Sequence, residues 1–273
     1  LTETPLRRPE RLAALGLMLG RRPAEVHNLE ELAVAAGVAR STVCEDLAVL
    51  RELALERGLG RVETTVGAGG GVRFWPDPSP AAARATLERL AAEMRDPTRV
   101  LPGGFLYLTD LVCSPAWSAR LGAIFAQAMR PTAPTCVLTV ETRGIPLALM
   151  TAHSLDLPLL IARRDSRVTE GPALSITYLS ATSGRVLNMS LPRRALPPGA
   201  RVLIIDDFMR GGATAKGLVD LVSEFDAIVA GIGVAVVTSQ PATKRVSDFM
   251  SLVVLSRVDE ASRWVDLEVS AQA

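Results

Sequence analysis

The sequence predicts an α/β protein in two segments: three short helices closed by a hairpin, then a longer domain built on a mostly parallel sheet. Three observations predict it. Residues 8–58 carry apolar positions at helical spacing, and residues 59–76 switch to strand formers broken by glycines. Beyond a proline-rich stretch at 76–80 the chain alternates helix and strand, the texture of a parallel sheet covered by helices. At 273 residues there is enough chain for two separate cores.

Leu12, Leu15 and Leu19 fall on one face of a first helix. Asn28 can cap a second, LEELAVAA, which Gly37 terminates. Arg40 or Ser41 opens a third, in which Val43, Leu47, Leu50 and Ala54 recur at helical spacing. Ala33 is small where the second and third helices must cross, and Val38 with Val43 fills the space beneath the glycine turn. This is a helix-turn-helix pattern. VETTV and VRFW then flank GAGGG, a hairpin in the place of a wing. Arg40, Ser41, Thr42 and Glu45 remain on the outer face of the third helix for a nucleic-acid groove. Arg7, Arg8, Arg40, Arg61 and Arg73 are the candidates for phosphates.

In the second segment ATLERLAAEM and WSARLGAIFAQAM read as helices. CVLTV, PLLIA, LSITYLS, VLNMSL, RVLIID, IVAGIGVAVVT and LVVLS read as strands of the central sheet. The boundary implied is residues 1–76 for the winged segment and 77–273 for the rest.

Charge and cysteine usage narrow the function. The net charge is +1, and residues 1–75 carry ten arginines against ten carboxylates, so DNA binding would depend on local arrangement. Three scattered cysteines and two isolated histidines fit neither a disulfide framework nor a metal site, and suit a reducing cytoplasm. No apolar run reaches membrane-spanning length.

The stretch VLIIDDFMRGGAT carries the chemistry. A buried strand ends in Asp206 and Asp207, and paired carboxylates there can accept both hydroxyls of a ribose diol. The following loop, Arg210-Gly211-Gly212-Ala213-Thr214, opens a helix whose first amides and positive dipole end would hold a phosphate. Diol and phosphate on one frame describe a ribose 5-phosphate.

This motif resembles the phosphoribosyl pyrophosphate (PRPP) motif of type I phosphoribosyltransferases. Thr142-Arg143-Gly144, after the strand CVLTV, resembles that fold's pyrophosphate loop, and Arg163, Arg164 and Arg167 resemble its basic diphosphate segment. Residues 163–201 hold seven arginines and two carboxylates, a local excess of +5. Over nearly its full length the chain resembles the purine operon repressors, through STVCEDL, VGAGGGVRF, LPGGFLYLTDL, TRGIPLA, RRDSRVTEGPALSITYLS and LIIDDFMRGGAT.

The resemblance implies a winged-helix DNA-binding domain joined to a type I phosphoribosyltransferase-like effector domain. It implies a non-catalytic regulator of purine genes that binds double-stranded operator DNA as a homodimer. Its expected effectors are PRPP, with or without Mg2+, and guanosine tetraphosphate, with no tightly bound cofactor. Phe208 and Met209 would then seat the sugar or a base. Tyr107 would close over the site or be a core aromatic, and Tyr178 carries the same alternatives. Ala213 departs from the family's glycine, and its methyl would block a positive-φ conformation or crowd the phosphate. The alternative reading is a purine phosphoribosyltransferase with an accessory N-terminal domain.

Overall fold

The elements that the apolar spacing implies form along the chain, with several additions and one rearrangement. The computed structural model describes residues 6–65, 67, 70–164, 171–179 and 186–271. The chain divides into two units, Leu1–Ala82 with His153–Asp156, and Ala83–Ala152 with Leu157–Ala273.

The first unit contains α1 (Arg8–Arg21), α2 (Leu29–Ala36), α3 (Arg40–Glu56), β1 (Arg61–Thr65) and β2 (Gly71–Trp75). The Asn28 side chain accepts from the Glu30 amide, satisfying one of the free donors at the start of α2. Gly37 ends α2 at φ 67°, the left-handed conformation in which glycine meets no Cβ penalty. Leu15, Leu19, Leu32, Val43, Leu47, Val62 and Val72 form the core, with Ala33 buried at the helix crossing. Beneath it, the buried Arg11 guanidinium is hydrogen-bonded to the buried Asp46 carboxylate, tying α1 to α3. β1 and β2 pair antiparallel, Arg61 opposite Trp75, and His27 adds a backbone bridge to Val72. A Cβ on Gly71 would lie 2.3 Å from the His27 carbonyl oxygen, which accounts for glycine there.

α4 (Pro80–Met94) precedes the short pair β3 (Val100–Leu101) and β4 (Phe105–Leu106), then α5 (Thr109–Val112) and α6 (Pro115–Met129). The sheet is built from β5 (Cys136–Val140), β6 (Leu159–Ala162), β9 (Arg201–Met209), β10 (Ile228–Thr238), β11 (Phe249–Asp259) and β12 (Trp264–Val269). Its strand order is β12-β11-β10-β9-β5-β6, parallel throughout except for β12. α7 (Ile145–Leu155) and α8 (Ala213–Ser223) are its crossovers. β7 (Ala173–Leu179) and β8 (Val186–Pro192) were expected in the central sheet but pair with each other, antiparallel. Six residues separate them, and a parallel neighbour needs a crossover of a dozen or more. Met189 and Leu191 of this hairpin are buried in the cluster that also holds Leu218, Leu221 and Val222 of α8. No helix among the described residues is long and apolar enough to cross a membrane.

Candidate functional site

Sheet topology places the site. From β5 the chain moves outward to β6, and from β9 it moves the other way to β10 and β11, so the order reverses between β5 and β9. The loops leaving their C-terminal ends diverge and open a crevice, the ligand position of open α/β sheets. A cavity of about 430 Å³ lies there. Glu141, Thr142, Arg143 and Gly144 from the β5 loop line it, with Asp206 to Thr214 from the β9 loop, and Arg164 and Tyr178.

β9 explains the carboxylates. Val202, Leu203, Ile204 and Ile205 are fully buried between β5 and β10, so the strand delivers Asp206 and Asp207 to the crevice floor while both remain under a tenth exposed. Burial first, then the Asp207 charge beside it, holds the Asp206 carboxyl well above the ordinary carboxylate range. Asp207 is raised too, because burial outweighs the opposing pull of Arg143. Asp206 Oδ1 accepts from the Asp207 amide at 2.9 Å. Asp207 Oδ2 is different: Arg143 Nε approaches it at 3.1 Å, but without hydrogen-bond alignment, so this buried oxygen accepts no hydrogen bond. It is a charge-paired acceptor without a hydrogen bond at the crevice floor, of the kind a diol hydroxyl uses.

The β5 loop comes close because residue 144 is glycine. A Cβ there would lie 2.6 Å from Thr139 Oγ1 and 2.8 Å from Asp206 Oδ1. The peptide between Glu141 and Thr142 is cis. Glu141 Oε1 accepts from the Arg164 amide at 2.7 Å, fixing this loop to the end of β6.

In the β9 loop the positive φ, 77°, falls on Gly212, the residue before α8. Ala213 is the first helical residue, so the expected conformational obstacle from its methyl does not arise; the methyl lines the cavity wall. The first-turn residues of α8, Ala213 to Ala215, line the cavity, and their amides have no acceptor within the helix. Sequence reasoning missed the support of this loop. Lys244 donates to the carbonyls of Arg210, Thr238 and Pro241 at 2.6, 2.6 and 2.7 Å, and the Arg245 amide donates to Gly211 at 3.0 Å. Lys244 is one of only two lysines in the chain, a weak signal that carried no role at the level of sequence.

Not every expected residue reaches the cavity. Tyr107 is 44% exposed and lines no part of it, so it is neither the expected lid nor a core aromatic. Arg99 pins its backbone, accepting from the Tyr107 amide through its carbonyl and donating its guanidinium to the Tyr107 carbonyl. Tyr178 does line the cavity, over Gly217 of α8, where a Cβ would lie 3.4 Å from its ring. Arg163 exchanges backbone hydrogen bonds with Ser190 and is not among the lining residues. Arg167 lies outside the described residues.

On the winged-helix unit, Arg40, Ser41 and Glu45 are exposed at the start of α3 and Thr42 is partly so. The other arginines have internal partners. Arg7 bonds Glu10 as the N-cap of α1, and Arg8 lies 3.4 Å from Asp46. Arg61 lies 3.6 Å from Asp77, and Arg73 sits 5.4 Å from the Trp75 ring centroid. Of these only the Arg7–Glu10 pair has both side chains well exposed, and such a pair is worth about 0–1 kcal/mol, so a phosphate can displace it.

Comparison with known proteins agrees with both units. The bacterial purine repressor N-terminal family matches residues 7–76, and the phosphoribosyl transferase domain family matches residues 111–271. The purine biosynthesis transcriptional activator of Lactococcus lactis subsp. lactis is 37% identical over 97% of this chain and 97% of its own. The purine biosynthesis transcriptional repressor of Bacillus subtilis is 37% identical over 96% of this chain and 92% of its own. Adenine phosphoribosyltransferase from Thermoanaerobacter pseudethanolicus shares the fold, with a TM-score of 0.52 at 20% identity over 62% of this chain and 98% of that one. With a purine-repressor N-terminal domain ahead of a phosphoribosyltransferase domain, and full-length relatives of that same construction, the chain belongs to the bacterial family of purine biosynthesis transcriptional regulators.

Proposed function

We propose that the protein regulates transcription of purine biosynthesis genes by binding operator DNA through α3 and its wing, and that PRPP acts at the β5–β9 crevice as effector rather than substrate. The observation that carries the effector reading is the assembly of three complementary features around one cavity. The Asp206–Asp207 pair suits the diol, the Gly211–Thr214 loop the 5-phosphate, and the Thr142–Gly144 loop the diphosphate. Asp207 Oδ2, buried and accepting no hydrogen bond, is the acceptor such a ligand would satisfy. Mg2+ is the natural companion of the diphosphate. Guanosine tetraphosphate carries diphosphates at its 3′ and 5′ positions, so it would bring the carboxylates only its 2′-hydroxyl, with Phe208 available beside the cavity for its base.

A non-catalytic role is supported by the domain ahead of the site, which a transferase does not need, and by the full-length relatives, which are named as regulators. A homodimer would present two copies of α3 to an inverted repeat. Titrating PRPP and guanosine tetraphosphate into the protein–operator complex tests the reading, with the two ligands expected to compete for one site. Operator affinity and salt slope that ignore PRPP would overturn it. The intact phosphoribosyltransferase-type site favours purine phosphoribosyl transfer as the second reading. Release of pyrophosphate from PRPP on adding a purine base would establish that reading instead.

A further inference from the structure

Arg143 belongs, by its place in the β5 loop, to the part of the crevice suited to a diphosphate. Its side chain is elsewhere: Nε lies 3.1 Å from Asp207 Oδ2, the oxygen suited to a ribose hydroxyl. The pair is asymmetric, with the arginine side chain 46% exposed and the aspartate 8%. Arg143 also lines a second cavity of about 410 Å³, formed with Gly103, Phe105, Phe208, Arg210 and Arg257, so it stands between the two spaces. A carboxylate this deeply buried is unfavourable without a countercharge, whereas a half-exposed guanidinium can turn toward solvent or another anion.

The geometry points to Arg143 as a specificity-determining gate: it occupies the acceptor that a ribose diol would use, and a ligand frees that acceptor only by offering the guanidinium an anion in exchange. This rests on the effector-site reading above. A ligand with diol and 5-phosphate alone must break the Arg143–Asp207 pair and give the arginine nothing in return. A ligand that also carries a diphosphate at C1 supplies the exchange partner, so the site requires both ends at once. Ribose phosphates and nucleoside monophosphates lacking that diphosphate are thereby rejected, although they fit the carboxylates and the phosphate loop.

The exchange makes a prediction that a simple arginine–diphosphate contact does not. Inorganic pyrophosphate should draw Arg143 off Asp207 and help ribose 5-phosphate to bind, despite the like charges of the two ligands. The experiment measures the Kd of ribose 5-phosphate for the full chain by calorimetry, with and without saturating pyrophosphate. The expected result is tightening by about fivefold or more, the lower end of typical coupling between two ligands. Unchanged or weakened binding overturns the gate. In Arg143→Met, PRPP should bind more weakly, ribose 5-phosphate more tightly than to the wild type, and the pyrophosphate effect should vanish. A loss of PRPP affinity with no gain for ribose 5-phosphate would reduce Arg143 to a plain contact and overturn the gate. The wild-type coupling decides the matter even if the variant folds poorly. PRPP binding to the wild type is the control: its absence would sink the effector-site reading and the gate with it, whereas PRPP binding without coupling sinks the gate alone.

Discussion

Gly144 stands so close to Asp206 that a β-carbon on it would lie 2.8 Å from the carboxylate oxygen Oδ1, and 2.6 Å from Thr139 Oγ1 on the other side. Neither neighbour can withdraw, since both are buried on fixed strands. Gly144→Ala must push the β5 loop out of the crevice. The expected outcome is a fall in PRPP affinity of tenfold or more, with a stability loss of about 1–3 kcal/mol, typical of overpacking. Calorimetry and thermal denaturation read the two effects. Retained affinity would show that the loop takes no part in binding.

Asp206→Asn tests the buried charge. The native carboxyl keeps its proton to higher pH than its ordinary value of 3.8, so the folded state binds more protons than the unfolded state across that interval. Stability therefore falls as pH rises through the native range, and the penalty is complete above it. The asparagine removes the penalty and still accepts from the Asp207 amide. The variant should melt higher than the wild type at neutral pH, the gap should close on acidification toward 3.8, and PRPP binding should be lost. A variant that melts lower at neutral pH would contradict this account.

Lys244→Met deletes a single donor shared by three backbone carbonyls, those of Arg210, Thr238 and Pro241. Only the bond to Thr238 is part-buried, and leaving that acceptor unmatched costs about 1–3 kcal/mol. Because Arg210 opens the phosphate loop, PRPP affinity should fall along with the melting temperature, while operator binding without effector persists. Lys244→Arg should restore part of both. An unaltered PRPP affinity in a clearly destabilised variant would separate the tether from the loop it is argued to hold.

Asp46→Ala strands the buried Arg11 guanidinium between α1 and α3. Breaking one side of a buried ion pair costs about 3–5 kcal/mol, a large part of the stability of so small a unit. Operator binding should be lost and PRPP binding retained, measured on the same preparation. Loss of both together would mean that the two units do not fold independently.

Arg40→Ala addresses the groove-facing helix. Arg40 is exposed at the first turn of α3, whereas Arg7 caps α1 through Glu10. The slope of log K against log salt should shrink by about 0.9 in Arg40→Ala, one phosphate contact. Arg7→Ala should lower helix stability more than it changes the slope. Equal slopes for Arg40→Ala and the wild type would remove Arg40 from the interface.

Much of this was legible along the chain, because it depends on neighbours in sequence. Asn28 and Gly37 mark the ends of α2 through bonds spanning a few residues, and the run into Asp206 and Asp207 announces a central strand on its own. The juxtaposition of two carboxylates with a glycine loop at one cavity was likewise readable, since nine consecutive residues supply both. What escaped depends on long-range placement. β12 is a half-exposed edge strand with alternating burial, and its segment carries little apolar weight. β7 and β8 look like sheet strands until the six residues between them fix their pairing. The position of Arg143 on Asp207 joins residues 64 apart, and Lys244 reaches Arg210 from 34 residues away. No local pattern encodes either.

The position of β9 in the middle of the sheet has a consequence for the order in which the molecule becomes competent. Its partners are β5, begun 65 residues earlier, and β10, which ends at Thr238, so the crevice cannot exist until most of the chain has been assembled. The helix-turn-helix and its wing close over contacts within the first 75 residues. Local contacts form quickly and distant strand pairings slowly. A partially completed chain thus closes the helix-turn-helix and its wing well before the crevice, and truncation within β10 would leave the first unit folded and the crevice unformed.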